Sequence, residues 1–277
     1  MIVSTDSKRS IHSMISSFNS IQIGNQSVAK FLLISIKRKL SVKMVEDAKR
    51  LAAYKAIDEN LETNSIIGIG SGSTIVYAVE RIAANLRKNP RPMFFVPTSF
   101  QAKQLIREHG LILSDLEAHS HLDIAFDGAD EVDSNLNLIK GGGGCLTQEK
   151  IIASAAKKLI IVADYNKKSN HLGERWKKGL PIEVIPMSYS VVKQKIESEF
   201  GGVANLRMAK SKAGPLITDN SNFILDWHFL PNTISDWSSI DKSLNNIPGV
   251  VETGLFIEMA EKVYFGMENG NVDILHK

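Results

Sequence analysis

Apolar positions along the chain fall into two alternating rhythms. Short runs of four or five apolar residues, Ile66–Ile69, Met93–Val96, Gly110–Leu113, Leu122–Phe126 and Ile160–Ala163, have the length and content of buried strands. Between them lie longer stretches in which apolar residues recur every three or four positions, as on one face of a helix. These stretches are Ile75–Arg87, a segment from Thr98 to His109, and Gln148–Leu159 with Ile151, Ile152, Ala155, Ala156 and Leu159 on its expected inner face. An earlier helix is expected over Glu46–Leu61, where Ala48, Leu51, Ala52, Lys55 and Ile57 mark one side, and Asn64-Ser65 leads from it to the first strand. The alternation of short strands with helices of about ten residues predicts a mostly parallel, doubly wound α/β sheet. In such a sheet ligands gather at the carboxyl ends of the strands.

The rhythm changes after Lys167. Strands are expected at Ile182–Ile185, Ala204–Ala209, Leu216–Thr218, Phe223–Trp227 and Val250–Phe256, the third and fourth joined by a turn at Asp219-Asn220. Helices are expected at Tyr189–Phe200 and Ile234–Asn246. This βαββαβ-like order predicts a smaller α+β lobe inserted into the chain. Val263–Met267 and Val272–Leu275 then return to the first sheet. The expected division is residues 1–43 as an extension, 44–172 plus 260–277 as the larger domain, and 173–259 as the lobe.

Composition adds one correction. The 277 residues are 43% hydrophobic and 23% charged, enough to bury a full core. The formal net charge is +3, but residues 1–43 hold seven basic side chains and one acidic one. The remainder is net acidic, so the basic balance gives no reason to expect a nucleic-acid-binding body. The basic, serine-rich start is compatible with an organellar targeting segment and equally with a disordered extension. A single cysteine, Cys145, excludes an intrachain disulfide and agrees with a cytoplasmic location. No run approaches 18 apolar residues, so no membrane partner is expected.

Candidate chemistry concentrates in Asp123–Lys150, which reads DIAFDGADEVDSNLNLIKGGGGCLTQEK. A strand ends in the acidic turn Asp127-Gly128-Ala129-Asp130-Glu131. Lys140 follows, then the glycine run Gly141-Gly142-Gly143-Gly144, then Thr147 and Glu149 at an expected helix start. A fixed cation, exposed main-chain N–H groups and a carboxylate suit a small anionic substrate undergoing proton transfer. The other cluster is Ser71-Gly72-Ser73-Thr74 between strand and helix, with Lys49 and Lys167 as further cations. Its hydroxyls and helix N–H groups suit one phosphomonoester. Neither G-x-G-x-x-G nor G-x-x-x-x-G-K-[ST] occurs, so no dinucleotide or nucleoside triphosphate is expected. Asp127, Asp130 and Glu131 have the chemistry of Mg²⁺ ligands, yet the lysine beside them argues against a metal. The seven histidines show no zinc spacing. Cys145 stands where a helix N-terminus can acidify a thiol, but no histidine is placed to activate it.

Several of these stretches occur together in one known family. GIGSGST, PTSFQA, FDGADEVD, IKGGGGCLTQEKII, VAD, PIEVIPM, TDN and IPGVVETGLF stand in the order seen in ribose-5-phosphate isomerases of the A type, which residues 44–277 resemble throughout. The resemblance is especially close to eukaryotic members. It implies a Rossmann-like domain with a smaller ferredoxin-like α+β lobe, assembled as a homodimer or homotetramer. It also implies interconversion of D-ribose 5-phosphate and D-ribulose 5-phosphate without metal or organic cofactor. By the same resemblance Glu149 is the proton-transferring base, and Lys140, Asp127 and Asp130 line the sugar site. Gly128, Ala129 and Gly141–Gly143 then border the substrate, while Ser71–Thr74 and Lys167 bind phosphate, with Lys49 as a further candidate. Another sugar-phosphate isomerase, or a sensor without catalysis, remains the alternative on this fold.

Overall fold

A computed structural model describes residues 26–61, 66–230 and 234–277. Most of the basic segment and the Asn64-Ser65 approach to the first strand lie outside the described residues. The chain divides into two compact units, Met1–Met44 and Val45–Lys277. In the first, the described residues are helical from Gln26 onward. The helix α1 (Gln26–Asn60) thus begins far earlier than the sequence pattern indicates.

Within Val45–Lys277 the strands of the main sheet are β1 (Ile66–Ile69), β2 (Phe94–Pro97), β3 (Ile112–Leu113), β4 (Ile124–Asp127), β7 (Leu159–Asp164), β13 (Ala260–Gly266) and β14 (Val272–His276). Their spatial order is β14-β13-β7-β4-β1-β2-β3, parallel except for the edge strand β14. Helices α2 (Ser73–Lys88), α3 (Phe100–Glu108) and α4 (Leu146–Ala155) connect these strands. From β1 the chain runs outward to β2 and β3, then returns to β4 on the other side of β1. That reversal creates a crevice between the carboxyl ends of β1 and β4, where an open α/β sheet takes its ligand.

The helix faces follow their sequence periods. In α2 the buried residues are Ile75, Ala78, Val79, Ile82 and Ala83, one continuous stripe. Helix α3 is capped by Ser99, whose side chain accepts from the Ala102 N–H. Two apolar clusters, centred on Phe126 with Ile67 and on Ile161 with Phe265, form the core of this domain.

The lobe consists of β8 (Leu180–Val184), α5 (Tyr189–Phe200), β9 (Val203–Leu206), β10 (Phe223–His228), α6 (Trp237–Asn245) and β11 (Val250–Thr253). Its antiparallel order β11-β8-β10-β9 is the ferredoxin-like arrangement, packed around Trp227 and Ile182. A third, three-stranded sheet joins β5 (Glu131–Val132), β6 (Leu138–Ile139) and β12 (Leu255–Phe256) in the order β12-β6-β5. The period of the sequence gives no hint of it, because two-residue strands carry no period.

Four expectations require correction. Helix α4 ends at Ala155, since the Leu122 carbonyl accepts from Lys157 N–H and the Lys158 carbonyl from Ala125 N–H, diverting the chain into sheet pairing. Ile151 and Leu51, expected inside, are 47% and 41% exposed. Leu216–Thr218 is no strand; Thr218 instead opens a tight turn closed by its N–H on the Asn222 carbonyl. Val250–Phe256 breaks at Gly254, and its halves join different sheets. A side chain there would collide with the Lys140 carbonyl.

Helix α1 meets β13 through its small residues. Ala48, Ala52, Ala53 and Ala56 are buried, and a Cβ on Gly266 would fall on the Ala48 carbonyl. Overpacking a tight contact typically costs about 1–3 kcal/mol, with larger losses when backbone must move. Gly266→Ala is therefore expected to lower stability by about 2–3 kcal/mol in urea unfolding, with an unchanged m-value. A midpoint equal to that of the parent would show that the contact yields freely.

Candidate active site

The ends of β1, β4, β6 and β7 and the start of α4 surround one cavity of about 370 Å³. Lys140 stands at its charged centre. Its ammonium lies 3.0 Å from Asp127 Oδ2 and 3.2 Å from Glu149 Oε2, and it donates to the Gly128 carbonyl at 2.5 Å. All three charged side chains are buried, Glu149 being 6% exposed. Two acids thus share one buried ammonium.

Each member is held by local structure. Asp127 ends β4, and its Oδ1 accepts from the N–H groups of Ser71 at 3.2 Å and Gly128 at 2.7 Å. The chain can pass this close only because residue 70 is glycine; a Cβ at Gly70 would overlap the Asp127 carboxyl. Lys140 follows β6, whose pairing with β12 is extended by a Lys140 N–H bond to the Gly254 carbonyl at 2.8 Å. Glu149 lies on the buried face of α4 with Leu146, Ile152 and Ala153. An acid at this apolar position is the local departure that marks a functional side chain.

The glycine run spans Lys140 and α4. Gly141 has φ of 96°, in the left-handed region that disfavours a side chain. Gly142 donates its N–H to Asp130 Oδ2 at 2.6 Å. Arg207, from beyond β9, braces the run from the lobe by donating to the Gly141 carbonyl at 2.8 Å. A bidentate pair with Asp226, at 2.8 and 2.5 Å, fixes the guanidinium.

The N-terminus of α2 forms another part of the cavity wall. Ser71, Gly72, Ser73 and Thr74 line it, with Lys49, whose ammonium donates to Ser73 Oγ at 3.0 Å and Glu46 Oε1 at 2.7 Å. Ser71 Oγ is tied to Thr98 and Ser99 at 2.9 and 2.6 Å. Gly72 N–H is supported by Gln101 Oε1 at 2.9 Å. Lys167 enters from the 3₁₀ turn Tyr165–Lys167, capped by Asp164, and its ammonium sits 5.8 Å from the Trp176 ring centroid.

Of the residues singled out from sequence, Glu149, Lys140, Asp130, Gly128, Ala129, Gly141 and Gly143 border the cavity together with the α2 cluster and Lys167. Asp127 and Gly142 do not. Asp127 lies behind Lys140 with both oxygens engaged, so its contact is with the lysine rather than the cavity. Sequence reasoning missed Gln101, Asp164, Asn166 and Arg207. Gln101 carried a signal, since it stands in PTSFQA; Arg207 carried none.

Burial sets the electrostatics. It pushes the Glu149 carboxyl up, Asp127 reinforces this, and the nearby Lys140 charge only partly offsets it, leaving a pKa of about 8. The start of a helix favours an ionised acid, but at Glu149 desolvation dominates. Its buried Oε2 lacks an aligned hydrogen bond although Lys140 is 3.2 Å away. Asp127 is also raised by burial, with Lys140 opposing. Burial works against the charge on Lys140, but Asp127 and Glu149 outweigh it and hold the ammonium above its ordinary range. Burial, then Glu149, raises the Cys145 thiol to about 12, the reverse of an activated nucleophile.

Among the described residues no group of three His, Cys, Asp or Glu side chains is arranged to hold a metal, and no helix is long and apolar enough to cross a membrane. A family model described as ribose 5-phosphate isomerase A (phosphoriboisomerase A) matches residues 94–270. The chain is 56% identical over 232 residues to a ribose-5-phosphate isomerase of Sus scrofa, covering 84% of this chain and 75% of that protein. It is 53% identical to one of Dictyostelium discoideum, covering 83% and 98%. A solved D-ribose-5-phosphate isomerase in complex with phospho-erythronic acid is similar at TM-score 0.79 and 41% identity, covering 84% of this chain and 99% of that one. The enzyme from Plasmodium falciparum is similar at TM-score 0.78 and 36% identity, with the same coverage. By sequence and fold alike, this chain belongs to the ribose 5-phosphate isomerase A family.

Proposed function

We propose that the cavity interconverts D-ribose 5-phosphate and D-ribulose 5-phosphate through an enediolate, with Glu149 as the proton carrier. One observation carries the reading: a buried carboxylate of raised pKa, 3.2 Å from a buried ammonium, lining the same cavity as a helix N-terminus. The solved relative whose ligand is phospho-erythronic acid supports it, since that ligand joins a phosphate to a carboxylate and so resembles an enediolate in charge.

Aldose–ketose exchange removes the C2 proton, places negative charge on oxygen, and returns a proton to C1. A base with a pKa near the working pH serves both transfers, because it takes the proton and gives it back at comparable cost. Ionised Glu149 removes the proton. Lys140, kept charged by Asp127, stabilises the enediolate together with the N–H groups of the glycine run. Asp127 therefore acts as the residue that orients and charges Lys140, and Asp130 takes sugar hydroxyls. The N-terminus of α2, with Ser73, Thr74, Lys49 and Lys167, anchors the phosphate. Every one of these groups lies after residue 44. Assembly as a homodimer or homotetramer is the accompanying proposal.

Glu149→Gln keeps the shape of the side chain but removes its base. Loss of a general base typically costs about 10²–10⁴-fold in rate. The variant is expected to bind a sugar-phosphate acid while losing exchange of the substrate C2 hydrogen in D₂O, followed by proton NMR. Parent-like exchange would transfer the role to another group.

The pH dependence follows from the sign of the shift. Glu149 is protonated and inactive as a base below its pKa of about 8, and ionised above it. The free-enzyme kcat/KM is therefore expected to climb through pH 8 and level off beyond it, and an acid limb near the ordinary glutamate range would contradict the assignment.

Phosphate contacts made equally in ground and transition states act on KM. Thr74→Ala is expected to raise KM for ribose 5-phosphate several-fold with little change in kcat. A fall in kcat alone would mean that the loop serves the chemistry rather than anchoring.

A further inference from the structure

The mechanism makes no use of Glu183, although it is completely buried in β8. Along that strand Leu180, Ile182 and Val184 enter the lobe core, so Pro181 and Glu183 face the other way. A buried carboxylate is costly unless hydrogen bonds replace its water. Four neutral donors do so here. Thr147 Oγ1 donates to Oε2 at 2.6 Å, while Thr218 Oγ1, Asn220 Nδ2 and Asn222 Nδ2 donate to Oε1 at 2.8, 3.0 and 2.9 Å.

These donors come from two places. Thr147 belongs to the first turn of α4, two residues before Glu149. The other three belong to the Thr218–Asn222 turn, where Ser221 is held at φ of 64° and Thr218 Oγ1 accepts from the Asn220 and Asn222 N–H groups. The same turn reaches both helices directly. Asn220 Oδ1 accepts from Gln148 Nε2 at 2.7 Å, and Asp219 Oδ2 accepts from the Phe100 N–H at 2.9 Å at the start of α3. Phe100 immediately precedes Gln101, the side chain that supports the Gly72 N–H of the phosphate loop.

We propose that Glu183 and the Thr218–Asn222 turn are positioning residues that set the base-bearing start of α4 against the phosphate-side start of α3. The lobe thereby fixes the distance between the two ends of the substrate site. Glu183 gathers the turn onto α4 through Thr147, and Asp219 extends the same turn to α3. This inference rests on Glu149 being the base. A displacement near 1 Å from the reactive geometry can reduce the rate by up to about 100-fold, so the bracing groups act on catalysis without touching substrate.

The two arms of the device act on different kinetic constants. Thr147→Val removes the bond on the α4 side and is expected to lower kcat about 10-fold with KM within twofold, on the scale of a sub-ångström displacement. Thr147→Ser restores the hydroxyl and the rate. Asp219→Ala removes the bond on the α3 side and is expected to raise KM at least threefold with kcat within twofold, while Asp219→Asn, which retains an acceptor, rescues it. If these groups only hold the fold together, the alanine and valine variants melt earlier but match the parent in kcat and KM per folded molecule, which overturns the proposal. Should Thr147→Val fail to fold, Gln148→Ala removes only the bond to Asn220: a threefold or larger fall in kcat supports the device, and parent-like kinetics overturns it. Glu149→Gln, assayed alongside, separates the two failures. Activity in that variant defeats the assignment of the base, whereas its inactivity beside parent-like Thr147→Val and Asp219→Ala defeats the positioning role alone.

Discussion

The buried cluster of Lys140 with Asp127 and Glu149 is the constraint around which the molecule is arranged. Each ion loses several kcal/mol of hydration on burial, and only close opposite charge with further hydrogen bonds offsets that loss. Asp127 provides the offset on one side, because its remaining lone pairs are taken by two backbone N–H groups. Glu149 is left under-coordinated, and burial, reinforced by the nearby Asp127, raises its pKa. Two acids close to one lysine are thus held differently: one has both oxygens engaged, and the other keeps a buried oxygen without an aligned hydrogen bond.

Holding such a cluster demands rigidity from several directions. The parallel sheet supplies Asp127 from a strand buried along its whole length. The three-stranded sheet supplies Lys140, whose backbone is locked to Gly254. The break at Gly254 lets one stretch of chain serve both the lobe and this small sheet. Arg207 and Glu183 then connect the lobe to the glycine run and to α4. The lobe accordingly braces the walls of the cavity, although its residues lie outside the cavity itself.

Close backbone approach is the second device. Gly70 beside Asp127, and Gly266 beside Ala48, remove a side chain where two main chains nearly touch. In the glycine run the positions differ: Gly141 needs its left-handed φ, Gly142 leaves no room for a Cβ beside Asp130 and Trp176, and Gly143 is open. One stretch of four identical residues therefore meets two separate requirements and leaves one position open.

What the sequence determined by itself was everything governed by local period and local grouping. The strand–helix alternation, the stripe on α2, the βαββαβ order of the lobe and the crowding of chemistry into residues 127–149 are all short-range properties. Family motifs added an expectation of individual roles for Glu149 and Lys140. Tertiary structure decided the rest, because the responsible contacts join distant segments. The Asp127 bond to Ser71 spans 56 residues, the Arg207 bond to Gly141 spans 66, and the Asp219 bond to Phe100 spans 119. Only folding could place Asp127 behind Lys140 rather than in the cavity, or make Glu183 a clamp within an apolar strand. Only folding could bury Glu149, and burial is what sets the proton affinity of a carboxylate.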